Sequence, residues 1–133
     1  MLTGRIQTDT GAGGAGSAYR TLVLTNSSNT SCDMEGYPGV SFVDDAGRII
    51  GAPANRAPAN VTALTLQPGD AAIATLQQTN AQNYGPDCGL TQAHGVRIYP
   101  PDANDSVIAL QDTLACSSGS IVLMTVGPMQ PEA

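Results

Sequence analysis

The chain has 133 residues, 41% of them hydrophobic and 12% charged, with 15 glycines, 9 prolines, 3 cysteines and no tryptophan. That length fits one domain with its own core; the hydrophobicity excludes a disordered tail, no apolar run nears the roughly 20 residues of a membrane span, and no cationic segment followed by an apolar one marks a signal peptide. Five Arg and no Lys against 11 acidic residues give a formal net charge of -6, which repels phosphate and so argues against nucleic acid or anionic lipid as a partner.

In chain order, every apolar segment is short, rich in Val, Ile, Leu and Thr, and bounded by Gly, Pro, Asn, Asp or Ser, the pattern of strands. Residues 2–8 read as an edge strand (Leu2, Gly4, Ile6) entering a glycine loop, Gly11 to Gly16. Residues 17–25 follow as a central strand, with Leu22 and Leu24 on one face and Tyr19 and Val23 on the other. Val40 to Val43 and Arg48 to Ile50 flank Asp44, Asp45, Ala46 and Gly47, a hairpin whose glycine takes a positive φ. The local duplication A-P-A-N-R-A-P-A-N at 52–60 reads as an extended, exposed connection, because proline cannot donate within a sheet. Val61 to Leu66 and Ala71 to Leu76 flank the turn Pro68 and Gly69 and offer Leu64, Leu66, Ile73 and Leu76 to the core.

A polar linker, Gln77 to Gly89, precedes Gly95 to Tyr99, Val107 to Leu110 and Ile121 to Val126, in which Val96 with Ile98, Ile108 with Leu110, and Ile121 with Leu123 share single strand faces. About eight or nine such strands and no convincing helix predict an all-β fold, an immunoglobulin-like antiparallel β-sandwich. Residues 1–127 form the domain and 128–133 a frayed tail.

Few residues are equipped for chemistry. His94, the only histidine, has no serine in a G-x-S-x-G elbow to activate and reads as a solvated side chain. Asp102, Asn104 and Asp105 lack EF-hand spacing and suit a turn, while Gly11, Gly13, Gly14 and Gly16 lead to a strand rather than a helix N-terminus and lack the P-loop lysine. The triplets starting at Asn26, Asn29, Asn60 and Asn104 match N-glycosylation acceptors but are expected by chance in a chain this rich in Asn, Ser and Thr. Tyr37, before Pro38 and Gly39, should close one end of the core with its hydroxyl on backbone. With Phe42, Tyr84 and Tyr99 it is alternatively a candidate binding patch.

Six segments in order, T-N-S-S-N-T-S-C (25–32), G-Y-P-G-V (36–40), D-A-G-R (45–48), L-Q-P-G-D-A-A (66–72), V-R-I-Y-P-P (96–101) and A-C-S-S-G (115–119), together resemble an actinobacterial family catalogued only as a domain of unknown function. Its members are mostly secreted proteins and lipoproteins, so the resemblance implies an extracytoplasmic β-sandwich with no assigned activity. The absence of lysine and the richness in Ala, Gly and Thr fit a GC-rich coding bias of such a source. Family members often carry a cysteine just before the first strand; the resemblance therefore implies that an export signal or lipid anchor upstream has been trimmed here.

Three cysteines in an exported chain leave one odd thiol. In alternating strands, the loop holding Cys32 emerges where the first strand begins, so its natural partner is that absent upstream cysteine. Cys88 and Cys116 flank strands that open at the opposite end, which predicts a Cys88 to Cys116 disulfide with Cys32 unpaired. It closes a loop of 29 residues counting both cysteines, worth about 3 to 4 kcal/mol on the chain-entropy model. The competing reading is three reduced core thiols in a cytosolic protein. Zinc lacks both a C-x-x-C pair and four convergent ligands.

The expected function is therefore non-enzymatic: a monomeric module, secreted or anchored at a cell envelope, binding a protein or envelope component through loops at one end, with no cofactor and no metal. The alternative is a small-molecule carrier, which requires an apolar cleft of at least a few hundred Å³; an enzyme would require a titratable pair within hydrogen-bond reach.

Overall fold

The computed structural model describes residues 2–8, 17–101 and 105–132. They form β1 (Leu2–Thr8), β2 (Ser17–Asn26), β3 (Cys32–Glu35), β4 (Gly39–Val43), β5 (Ile49–Ile50), β6 (Asn55–Arg56), β7 (Ala63–Leu66), β8 (Ala71–Thr79), β9 (Leu90–Tyr99), β10 (Val107–Cys116), β11 (Met124–Val126) and β12 (Gln130–Pro131). The larger sheet runs β1-β2-β8-β11-β6, with β12 also on β8; the second runs β10-β9-β4-β5; β3 and β7 pair alone. Among the described residues only the two-residue pairing of β6 with β11 is parallel. The fold is thus an all-β sandwich. Among the described residues the strand count exceeds the expected eight or nine because the additions, β3, β6 and β12, are two to four residues long and carry little periodicity.

The core lies between the two larger sheets. Leu22, Leu24, Ala72, Ala74, Leu76, Met124 and Val126 come from one side, and Val40, Phe42, Ile50, Val96, Ile98, Ala109 and Ala115 from the other. Alternation produces this: β8 buries Ala72, Ala74 and Leu76 and turns Ile73, Thr75 and Gln77 away. Met34 and Leu66 of the small sheet join the same cluster and cover one end. On one side β1 comes so close to β10 that a Cβ on Gly4 would sit 3.0 Å from Val107 Cγ2; the absent side chain lets the sheets close.

Polar side chains fix the strand ends. Asn26 is 1% exposed; its amide donates to Thr30 O at 2.8 Å and Leu66 O at 2.9 Å, and its oxygen accepts from Ser28 N and Oγ. An asparagine so enclosed is a structural hub, and its place in a glycosylation triplet has no bearing on that role. Asp44 closes the β4–β5 hairpin: Oδ1 accepts the N–H groups of Ala46 and Arg48 at 2.9 Å, and Gly47 there has φ +80°. The Arg48 amide foremost, opposed by partial desolvation and aided by the Ala46 amide, holds the Asp44 carboxyl below its usual range. At the other end β10 carries an extra residue: Leu110 faces Gly95 and Thr113 faces Ala93, leaving Gln111 and Asp112 opposite His94. Gln111 then meets Gln78 of the facing sheet in a reciprocal amide pair, at 2.8 and 2.7 Å.

Several expectations are corrected. Ile73 faces outward and half-exposed rather than into the core. Ile108 and Leu110 share a face, as their spacing requires, and it is the outer one, at 43% and 84% exposure. The linker expected from Gln77 continues β8 to Thr79 and then forms two 3₁₀ turns, 81–83 and 86–88. The tail expected to fray at 128 instead buries Pro128 and Met129 and pairs Gln130 and Pro131 with Ile73 and Ala72, because Met129 has a core site to fill. Cys32 lies in β3 opposite Leu66, not in a loop. The Gly11 to Gly16 loop, Asp102 and Asn104 lie outside the described residues.

Candidate functional site

The expected aromatic patch does not assemble. Phe42 is a core residue at 3% exposure, on the inward face of β4 opposite Val96. Tyr84 lies between the two 3₁₀ turns ahead of β9, whereas Tyr99 is the last of that strand's ten residues, so about 30 Å of extended chain separates the ends that carry them. Tyr37 takes the structural role: its hydroxyl donates to Ala57 O at 2.5 Å, and Arg56 stands over its ring at 5.2 Å.

That clasp shapes something the sequence did not suggest. Held by Tyr37, and by Ala57 N donating to Val126 O at 2.9 Å, the 57–59 segment forms one wall of a groove of about 330 Å³ on the outer face of the larger sheet. Tyr19, 38% exposed, lines it from β2. Ile73, Thr75 and Gln77 of β8 and Thr125 of β11 lie along the sheet face, with Gly127, Pro128 and Gln130 beyond. Gln130 ties the wall down, donating to Asn60 O at 3.3 Å while its oxygen accepts from Thr62 Oγ1 at 3.2 Å. Among the described residues no Asp, Glu, Arg or His lines the groove. The register builds a continuous lateral row: Tyr19 faces Gln77, Gln77 faces Thr125, and Thr125 faces Asn55 at the sheet edge.

Other candidate residues stand apart from it. His94 has an orienting carboxylate after all, Asp112 Oδ1 at 3.1 Å from Nδ1, supplied by the irregularity in β10; both side chains are open to solvent, at 45% and 80% exposure, and no hydroxyl or thiol is bonded to His94 among the described residues. Asp105 is exposed. Among the described residues no three His, Cys, Asp or Glu side chains group as metal ligands would, and no helix is long and apolar enough to cross a membrane.

The cysteines behave differently from one another. Cys88 and Cys116 are disulfide-bonded and both 2% exposed; the bond fastens the start of β9 to the end of β10, where Cys116 faces Leu90. Ser118 N donates to Cys88 O and Ser117 N to Gly89 O beside it. Cys32 is free and half-buried. It shares an end of the sandwich with the start of β1, since Leu2 faces Asn26 and Asn26 bonds Leu66 across from Cys32.

A family model for the domain of unknown function DUF4232 matches residues 2–130, from the start of β1 to the first residue of β12. The chain belongs to this family. No curated protein and no solved structure matches it.

Proposed function

We propose that this DUF4232 domain is a non-enzymatic binding module that works outside the cytoplasm, secreted or anchored at an actinobacterial envelope, and takes its ligand in the groove on the outer face of the larger sheet. The groove carries the reading: it is the concave surface in which outward residues of three adjacent strands converge, and its walls are fixed by hydrogen bonds from Tyr37 and Gln130. It replaces the loop ends expected from the sequence. The disulfide supports an oxidising compartment, and the His94–Asp112 pair offers no positioned nucleophile. A second reading, a carrier of a small apolar molecule, draws on the groove's volume of about 330 Å³ and its alanine and proline walls; such a ligand would be carried through purification and appear in native mass spectra.

The test separates cell-envelope material into protein, lipid and polysaccharide fractions and adds each to the isotope-labelled domain. Amide shifts confined to the groove strands with one fraction are expected. Shifts confined to the Tyr84 and Cys88 end, or none with any fraction, would defeat the groove as the ligand site.

A further inference from the structure

We infer that the groove's ligand is a neutral carbohydrate, a short run of sugar rings from an uncharged glycan. This deepens the groove reading above and rests on it. Tyr19, Gln77 and Thr125 line the groove across three adjacent strands, and Asn55 continues their row onto a fourth strand at the sheet edge, outside the groove itself. At the usual spacing between strands the row spans about 14 Å, the reach of an oligosaccharide rather than a single small molecule.

The donor set is specific in kind. A half-exposed tyrosine offers a flat apolar face with a polar tip, which suits the C–H face of a pyranose and one of its hydroxyls. Each carboxamide presents donors and an acceptor side by side, and each threonine hydroxyl does both, matching neighbouring sugar hydroxyls that also donate and accept. None of these four side chains, nor Thr75 beside them, makes a side-chain hydrogen bond among the described residues, so all are free to bond a ligand.

Competing occupants fit less well. An ion would surrender its hydration with no opposite charge among the described groove residues to receive it. A purely apolar ligand would cover Gln77, Thr75 and Thr125 and leave their polar atoms unpartnered. A peptide strand adding to a sheet needs a free edge, and the groove lies on a face. The alanines at 57 and 59 keep the wall low, and Pro128 and Ile73 add apolar surface for ring faces.

The experiment titrates the intact, disulfide-bonded chain with short gluco-, galacto-, manno- and arabino-oligosaccharides, following backbone amides. At least one probe should give saturable shifts at Tyr19, Gln77, Thr125 and Asn55. Tyr19→Ala should weaken that binding about tenfold or more, Tyr19→Phe should retain most of it, and Tyr99→Ala, an equally exposed tyrosine on the other sheet, should leave it unchanged. Failure of every probe, or equal affinity in the Tyr19→Ala chain, overturns the carbohydrate assignment. If a protein or lipid fraction shifts the groove amides while all oligosaccharides fail, the groove remains the site and only its ligand class is wrong; if no material shifts them, both fall.

Discussion

The reciprocal pair between Gln78 and Gln111 makes a sharp energetic prediction, because its two partners differ in their access to water. Gln78 is 8% exposed and, among the described residues, its amide nitrogen has only one other neighbour able to accept, the Met124 sulfur at 3.7 Å; Gln111 is half-exposed. Gln111→Leu therefore strands a buried carboxamide and should cost about 1 to 3 kcal/mol, whereas Gln78→Leu leaves Gln111 free to turn to solvent and should cost about 1 kcal/mol or less. With both replaced, no polar group is left unsatisfied, so the double variant should lie closer to the parent than Gln111→Leu does, with a coupling of about 1 to 3 kcal/mol. Urea denaturation followed by circular dichroism measures all four corners, with an unchanged slope required for the comparison. Additive single effects, or a larger loss from Gln78→Leu than from Gln111→Leu, would show that water already reaches the pair and would refute the reasoning.

Other outcomes follow from individual sites. Replacing Cys88 and Cys116 together by Ala should lower stability by about 3 to 4 kcal/mol through the unfolded chain, read as a lower denaturation midpoint; a loss under about 1 kcal/mol would mean that the reduced unfolded chain holds the hairpin together anyway. Gly51→Ala should destabilise more than any surface alanine substitution, because φ is +70° and the new Cβ would fall 2.1 Å from the Cys116 carbonyl oxygen; thermal melts test it, and a neutral effect would contradict the packing of the β5 exit against β10. Asp44 has a lowered folded pKa, so its contribution is complete above the unfolded carboxylate value of about 3.9 and is lost as pH falls through the lower folded value. Carboxyl-carbon NMR should find its midpoint below that of ordinary aspartates, and Asp44→Asn should remove the acid-side dependence of the Ala46 and Arg48 amides.

Much of the sandwich was legible because alternation and turn chemistry are local. Leu22 and Leu24 sit inside as their spacing requires, Asp44 to Gly47 forms the hairpin end, and Tyr37 reaches backbone. Strand alternation also paired Cys88 with Cys116, although the two meet as neighbours within one hairpin. What escaped has physical causes. Much of the core is alanine, at 72, 74, 93, 109 and 115, and alanine signals neither face. The sequence C-D-M-E of β3 offers only Met34 and the half-buried Cys32 on its inward face, so its strand character comes from β7 across from it. Periodicity placed Ile108 with Leu110 but could not say which face met the other sheet. The groove was hidden more deeply: Tyr19, Gln77, Thr125 and Asn55 come from four separate segments, and only the lateral register brings them into line.

The covalent link between Cys88 and Cys116 also decides where the β9–β10 hairpin can come apart. Riveted at the start of one strand and the end of the other, the ribbon cannot unzip from that side, so opening must begin at the paired Ile98 and Val107 end and run inward. A chain cut once anywhere between Cys88 and Cys116 would yield two pieces that travel as one until a reductant is added.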